Sequence, residues 1–106
     1  MFDRRAVLSL LSERYVVSVL VLIYELSLSG PVRKYDLLTV VSSGNTIDSV
    51  VRMLSEVGLV RTERINIPRK TIFLRLTPAG AAIAIRLSSV VSGICALFSG
   101  VTEDVH

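Results

Sequence analysis

Positively charged side chains are concentrated in the middle of the chain. The 106-residue sequence has 12 Lys and Arg against 9 Asp and Glu, and ten of the twelve cations are Arg. Residues 33–75 contain eight cations and four carboxylates, whereas the rest of the chain contains four cations and five carboxylates. Guanidinium groups hydrogen-bond phosphate and guanine edges through two parallel bonds. The middle segment could therefore bind nucleic acid, although a solvated basic surface explains the charge alone equally well.

Side chains that commonly perform catalysis or bind metals are scarce in this sequence. The chain has one Cys and one His, and His106 is the C-terminal residue. Cys95 has no partner for a disulfide, and its apolar neighbours predict an inert packing residue. Paired carboxylates, a metal-ligand cluster and a phosphate-binding glycine loop are all missing from the sequence. We therefore expect no enzyme activity, no cofactor and no metal.

The composition predicts one globular domain spanning residues 1–106. Hydrophobic residues make up 51% of the chain, which is enough to bury a core. Two apolar stretches raise the question of a membrane. Residues 15–28 are interrupted by Glu25, and residues 87–102 are uncharged, but both are shorter than the 20 or so residues that a spanning helix needs. No secretory signal is evident, so we expect a cytoplasmic protein without a membrane partner.

The first half of the chain has helical apolar periodicity. Residues 3–28 predict a helix interrupted near Ser12, which could cap a second segment, and Ser29-Gly30-Pro31 ends it. A short second helix is expected from about Arg33 to Val41. The residues predicted to face inward on it are Tyr35, Leu38 and Val41.

A third helix follows the tight connection at residues 42–44, with Asn45 or Thr46 as its cap. Its apolar residues are spaced by 3, 1, 3 and 3 positions and so form a single helical face: Ile47, Val50, Val51, Leu54 and Val57. Gly58 is a natural stop, because glycine adopts the positive φ that reverses the chain after a helix.

The pattern changes to that of strands after Gly58. Residues 59–65 and 71–76 are rich in residues that favour strands, and the basic segment 66–70 separates them, which predicts a two-stranded hairpin. Thr77 and Pro78 then predict the start of a last helix, with Thr as its cap and Pro at its first position.

The last helix carries apolar residues spaced alternately by 4 and 3, the pattern of a seam between two helices. These residues are Ile83, Leu87, Val90, Ile94, Leu97 and Val101. No charge marks a solvent-facing side after Arg86. A small monomer could hardly cover both this helix and the first one, so we expect a homodimer in which the first and last helices exchange contacts. The alternative is that the last helix completes the core of a monomer.

The order of these elements is that of a winged helix-turn-helix. Residues 45–60, which end in Gly58-Leu59-Val60, resemble the recognition helix and exit of the MarR and PadR-like transcription regulators. Residues 76–80 resemble the Leu-Thr-x-x-Gly strand-to-helix exit of the same families, and the resemblance covers roughly residues 15–97.

This resemblance implies a mainly α fold with a β-hairpin, in the α+β class, with long N- and C-terminal helices. It divides the domain into an N-terminal helical region (1–29), a helix-turn-helix and wing (31–76) and a C-terminal dimerisation helix (77–101). It also implies a homodimeric transcriptional regulator that binds double-stranded DNA sequence-specifically. The third helix would enter the major groove, and the wing would follow the flanking backbone or the minor groove. The alternative is a winged helix that binds another protein and does not read DNA.

The outward face of the third helix and the hairpin tip supply the predicted DNA contacts. Arg52 is the expected base-edge contact, on a guanine, while Asp48 either holds Arg52 in position or opposes the phosphates. An ordinary surface pair between these two side chains is the competing interpretation. The full predicted set is Arg33, Lys34, Asn45, Thr46, Ser49, Arg52, Met53, Arg64, Asn66, Arg69 and Lys70.

Overall fold

The computed structural model describes residues 3–66 and 70–104, the last five of them by their backbone alone. These described residues form four α-helices, a 3₁₀ helix and three short strands. They are α1 (Arg4–Ser12), α2 (Val16–Ser27), β1 (Val32–Arg33), the 3₁₀ helix (Lys34–Thr39), α3 (Gly44–Glu56), β2 (Val60–Ile65), β3 (Thr71–Leu76) and α4 (Pro78–Asp104). The chain is helix-rich with a small antiparallel sheet, which confirms the predicted fold class.

The N-terminal helical region is interrupted, as predicted, but the interruption does not involve a cap at Ser12. The Asp3 carboxylate caps α1 by accepting a 2.7 Å hydrogen bond from the Ala6 amide. Helices α1 and α2 meet at 82°, and Tyr15, with φ of 70°, precedes α2 in the left-handed conformation. The prediction that Ser12 caps the second segment was wrong. Ser12 is the last residue of α1, and its hydroxyl donates to the Leu8 carbonyl instead.

One hydrophobic core joins α2, α3 and the sheet. The predicted apolar face of α3 is buried except for Val57, which is half-buried. It packs in the same cluster as the buried side of α2, together with single residues from the other elements. The core side chains with no exposure are Val16, Val19, Leu20, Ile23, Leu37, Leu54 and Ala84. The burial of one side of α3 leaves its other side in solvent.

The three strands form an antiparallel sheet in the order β1-β3-β2. The predicted hairpin is confirmed, with Val60 opposite Leu76 and Ile65 opposite Thr71. Strand β1 was not predicted, because two residues are too few to show alternation. Its Val32 is opposite Leu74 and is buried with it.

The short helix before α3 differs from its prediction. Arg33 belongs to β1, and the helix that follows is 3₁₀. Tyr35 and Leu38, expected inward, are 71% and 43% exposed, while Leu37 is fully buried. The Val41 amide donates to the Leu37 carbonyl at 2.9 Å, and this turn places both side chains on the core side. Burial of Val41 was predicted correctly.

The first part of α4 packs on the domain and the rest does not. Ala84 is buried and Ile83 and Leu87 are half-buried, whereas every residue from Ser89 to Ser99 is exposed. Leu97 and Phe98 are 70% and 68% exposed. Cys95, predicted to be a packing residue, lies on this exposed part. The section Pro78–Ser99 is long and apolar enough to cross a membrane.

A tight joint connects the wing to α4. The Thr77 hydroxyl donates to the Gly58 carbonyl at 2.6 Å and accepts from the Gly80 amide at 3.1 Å, so that it caps α4 as predicted. Gly58 has the positive φ, +80°, expected of the helix stop. A Cβ at Gly80 would lie 1.9 Å from the carbonyl oxygen of Leu59, which no backbone atom can accommodate without moving.

We predict that Gly80→Ala pushes α4 away from the backbone of Leu59 and lowers the free energy of unfolding by about 2 kcal/mol or more, the range of overpacked cores. Gly93→Ala is the matched control, because nothing lies within 4 Å of its added Cβ. The control should gain up to about 1 kcal/mol from helix propensity. Urea unfolding of both variants measures the difference, and equal stabilities would contradict the close approach.

Candidate nucleic-acid interface

Helix α3 starts two residues earlier than a cap at Asn45 would place it. The Ser43 hydroxyl is the cap and accepts a 3.4 Å hydrogen bond from the Thr46 amide. The predicted cap at Asn45 or Thr46 was therefore wrong, since both residues lie within the first turn. The shift leaves the apolar face unchanged, because that face is set by the spacing of the buried residues rather than by the cap.

The solvent side of α3 carries short polar residues first and a cation further along. Asn45, Ser49 and Arg52 are exposed, and the Ser49 hydroxyl donates to the Asn45 carbonyl at 3.1 Å. Thr46 is half-buried at the edge of this side. Met53, which was predicted to lie on or near the outward face, is half-buried against the core and does not belong to this surface.

Asp48 is paired with the preceding helix rather than with Arg52. Its Oδ1 accepts a 2.6 Å hydrogen bond from Lys34 Nζ, and the Lys34 side chain is only 26% exposed. Within the part of the chain that the structure describes, no ion pair joins Asp48 to Arg52. The carboxylate thus ties the two helices of the helix-turn-helix together, and Lys34 neutralises the charge that would repel a phosphate.

Arg33 lies apart from this surface. It is opposite Phe73 in β3, and Phe73 is opposite Glu63 in β2. Because neighbouring residues of a strand point to opposite faces of the sheet, Glu63 and Arg64 face in opposite directions. Arg33 therefore shares the Glu63 face, where its guanidinium lies 3.8 Å from the Asp36 carboxylate. The structure does not bring Arg33 to α3 as the predicted set implied.

The wing contributes further cations beside α3. Arg64, Asn66 and Lys70 are exposed, and the predicted contact at Arg69 lies outside the described residues. A groove of about 380 Å³ separates α3 from β2 and β3, and it brings Arg52 and Arg64 into one site. We call it the helix–wing groove. Its lining consists of Lys34, Asp48, Val51, Arg52, Ser55, Thr62, Arg64 and Ile72.

Ser55 and Thr62 are groove residues that the sequence analysis missed. A signal was present for each of them, because residues three apart share a face of a helix and residues two apart share a face of a strand. Ser55 follows Arg52 by three, and Thr62 precedes Arg64 by two. The missing information was that α3 and β2 lie side by side, which only the tertiary structure supplies.

We predict that exchanging the charges of the Lys34–Asp48 pair retains the fold, whereas either single change weakens it. Lys34→Asp or Asp48→Lys places two like charges in contact and lowers the free energy of unfolding by roughly 1 kcal/mol. The double variant restores opposite charges and recovers most of that loss. Urea unfolding of the wild type, the two single variants and the double variant gives a double-mutant cycle of unfolding free energies. Losses that simply add in the double variant would show that the pair does not hold the two helices together.

No family model and no curated protein matches the sequence. Solved structures do match. A transcriptional regulator homologue from Pyrococcus horikoshii superimposes with a TM-score of 0.63 at 19% identity, over 88% of each chain. The transcriptional repressor BigR from Xylella fastidiosa gives a TM-score of 0.57 at 28% identity, over 85% of this chain and 81% of its own.

A mutant of ZitR from Lactococcus lactis gives the higher TM-score of 0.74, at 12% identity. This match covers 86% of the present chain but 60% of the ZitR chain, so ZitR has a large part with no counterpart here. The likeness extends over most of the chain in each comparison. The present chain therefore has the winged helix-turn-helix fold of transcriptional regulators.

Proposed function

We propose that this protein is a transcriptional regulator that binds double-stranded DNA, with α3 in the major groove and the wing on the flanking backbone or in the minor groove. The observation that carries the proposal is the helix–wing groove, in which Arg52 of α3 and Arg64 of the wing line the same site. The names of the Pyrococcus and Xylella neighbours, a transcriptional regulator homologue and a transcriptional repressor, support it.

The order of side chains along α3 fits a recognition helix. Asn45 and Ser49 are exposed in the N-terminal half, the part of such a helix that reaches base edges. Arg64 and Lys70 extend the positive surface along the wing, and Arg69 adds a further cation from the sequence. Thr46 and Lys34 remain in the proposed contact set at its edge. Arg33 and Met53 leave it, because one lies on the opposite sheet face and the other packs on the core.

Self-association would cover the apolar surfaces that the chain leaves open. Helix α1 buries none of its residues, and the exposed half of α4 presents Val90, Ile94 and Leu97. An apolar surface of this extent is unusual on a monomer. We propose a homodimer in which α1 and α4 exchange contacts between subunits. Its two recognition helices would meet a palindromic site about 34 Å, one DNA turn, apart.

The exposed half of α4 fits a helical partner better than a membrane. Every residue from Ser89 to Ser99 is exposed, and at 1.5 Å per residue this section is about 16 Å long. A bilayer core is about 30 Å thick, or about 20 helical residues, so a span that ends before the charged Glu103 would have to include Leu87 and Ile83, which pack on the core. We therefore propose a cytoplasmic protein that acts on DNA without a cofactor, a membrane or an enzymatic step.

We predict that Arg69→Ala combined with Lys70→Ala weakens binding to all duplexes by a similar factor and reduces the slope of log K against log salt by about 1–2. The reason is that phosphate contacts carry no sequence information. Fluorescence anisotropy on a selected and an unrelated duplex measures both quantities. Arg86→Ala, an exposed cation on α4, is the matched control and should change neither. Absence of duplex binding at low salt, or an affinity independent of salt, would refute DNA binding.

We predict that the wild-type protein sediments at twice its chain mass of 11.6 kDa and that Ile94→Glu sediments as a folded monomer. A carboxylate at Ile94 would be desolvated in an α4 seam without a partner. Leu28→Glu, at a residue 72% exposed at the end of α2, is the control and should remain dimeric. A wild-type monomer at all concentrations would favour the alternative function, a winged helix that binds another protein. That alternative also requires a stable protein partner whose binding is unchanged when Arg52, Arg64, Arg69 and Lys70 are neutralised.

A further inference from the structure

The geometry points to a seat for one DNA backbone phosphate in the helix–wing groove, with Arg52 and Arg64 as its two cations and the Ser55 hydroxyl as a third donor. This inference rests on the proposed DNA binding and assigns a role to Arg52, Arg64 and Ser55. It also changes the role of Arg52, which the sequence analysis placed on a guanine edge.

Neither arginine of the groove forms an ion pair with a described residue. Lys34 is held by Asp48 and Arg75 lies 3.6 Å from Glu63, but in the described part of the chain no carboxylate or hydrogen-bond acceptor engages the guanidinium of Arg52 or Arg64. The groove contains three cations and one carboxylate, a balance of +2. Two like charges beside one groove repel each other, whereas an anion bound between them would be attracted by both.

The Ser55 hydroxyl has no acceptor within the described part of the chain. Its Oγ is buried and has no hydrogen-bond partner among the described residues, although nearly all buried polar groups in proteins have one. Ser55 lies one turn after Arg52 on α3 and lines the same groove. Arg52 and Arg64 line the same groove and are exposed, so their side chains are free to reorient around an anion bound there.

The position of the groove along α3 favours a phosphate over a base. Arg52 and Ser55 belong to the C-terminal half of the 13-residue helix, whereas recognition helices reach base edges with their N-terminal residues. The opposite wall of the groove is the wing, which contributes Thr62 and Arg64. A phosphate oxygen can accept from guanidinium groups on both walls, and such charge-assisted bonds are the strong ones. Base reading then falls to Asn45 and Ser49.

Fluorescence anisotropy over a series of salt concentrations tests this seat. The probes are a duplex selected by the wild-type protein from a random pool and an unrelated duplex. The variants are Arg52→Gln, Arg64→Gln, the double variant and Ser55→Ala. Arg61→Gln is the matched cation control, because Arg61 is exposed on β2 but faces away from Arg64. Ser18→Ala, at an exposed serine of α2, is the hydroxyl control.

We expect Arg52→Gln to weaken both duplexes by one common factor, so that the ratio of their affinities is unchanged. We expect the double variant to reduce the slope of log K against log salt by about 0.9, the value for one phosphate. Ser55→Ala should weaken both duplexes about three- to tenfold, the effect of one lost hydrogen bond. Both control variants should bind as the wild type does.

Three results would overturn the inference while DNA binding stands. An affinity ratio that falls to near one in Arg52→Gln would show that Arg52 reads a base. A slope reduced by about 1.8 in the double variant would show that the two arginines contact separate phosphates. Wild-type affinity in Ser55→Ala would remove the hydroxyl from the seat.

A titration with inorganic phosphate distinguishes an incorrect phosphate seat from an incorrect proposal of DNA binding. If the wild type binds no duplex at low salt, phosphate is titrated into the protein and the backbone amide shifts of Arg52 and Ser55 are followed by NMR. If phosphate shifts these amides in the wild type but not in the double variant, the groove is an anion site whose natural ligand is not DNA. Absence of such shifts would refute the seat together with the DNA proposal.

Discussion

The burial of one aliphatic side of α3 against α2 is the constraint on which the rest of the surface depends. Ile47, Val50 and Leu54 lie in the same cluster as Leu20 and Ile23, and this contact fixes the rotation of α3 about its axis. Burying a side chain of this size contributes about 1.5–3 kcal/mol, several times the value of an exposed ion pair. The hydrophobic contacts therefore determine which residues of α3 face solvent, and the polar contacts only adjust their arrangement.

The second constraint fixes the wing relative to α3. The Leu59 carbonyl accepts from the Thr77 amide at 3.1 Å, and the close approach of Gly80 leaves no room for a side chain there. Both ends of the hairpin are thereby held at the C-terminal end of α3. The side-by-side position of Arg52 and Arg64 follows from this joint, since no described residue forms an ion pair with either guanidinium.

The parts of the fold that were predictable from sequence are those with local causes. The spacing of the apolar residues of α3, the positive φ of Gly58 and the Thr77 cap each depend on a few neighbouring residues, and the structure has all three. Two of the three inward residues of the short helix, Tyr35 and Leu38, were predicted wrongly, because the rotation of this helix is set by the pairing of Val32 with Leu74 across 42 positions of sequence.

The candidate site was predictable to a smaller extent, because its contacts are not local. The rule for residues four apart suggested that Asp48 would hold Arg52, but Lys34, 14 residues before it, is closer in space. Ser55 and Thr62 line one groove from two different elements, and nothing in either local pattern indicates the other. The cations were visible in the sequence, whereas their division between the two faces of the sheet required the strand register.

The left-handed backbone at Tyr15 has a consequence for any partner of α1. A residue with a side chain adopts φ near 70° only at an energetic cost, so the elbow between α1 and α2 is held in place by its surroundings. Tyr15 packs against the core, and the guanidinium of Arg14 lies 4.9 Å from the centre of its ring. The N-terminal arm is thus preorganised in the single chain. Docking of a partner on this arm would therefore cost less conformational entropy than docking on a freely moving helix.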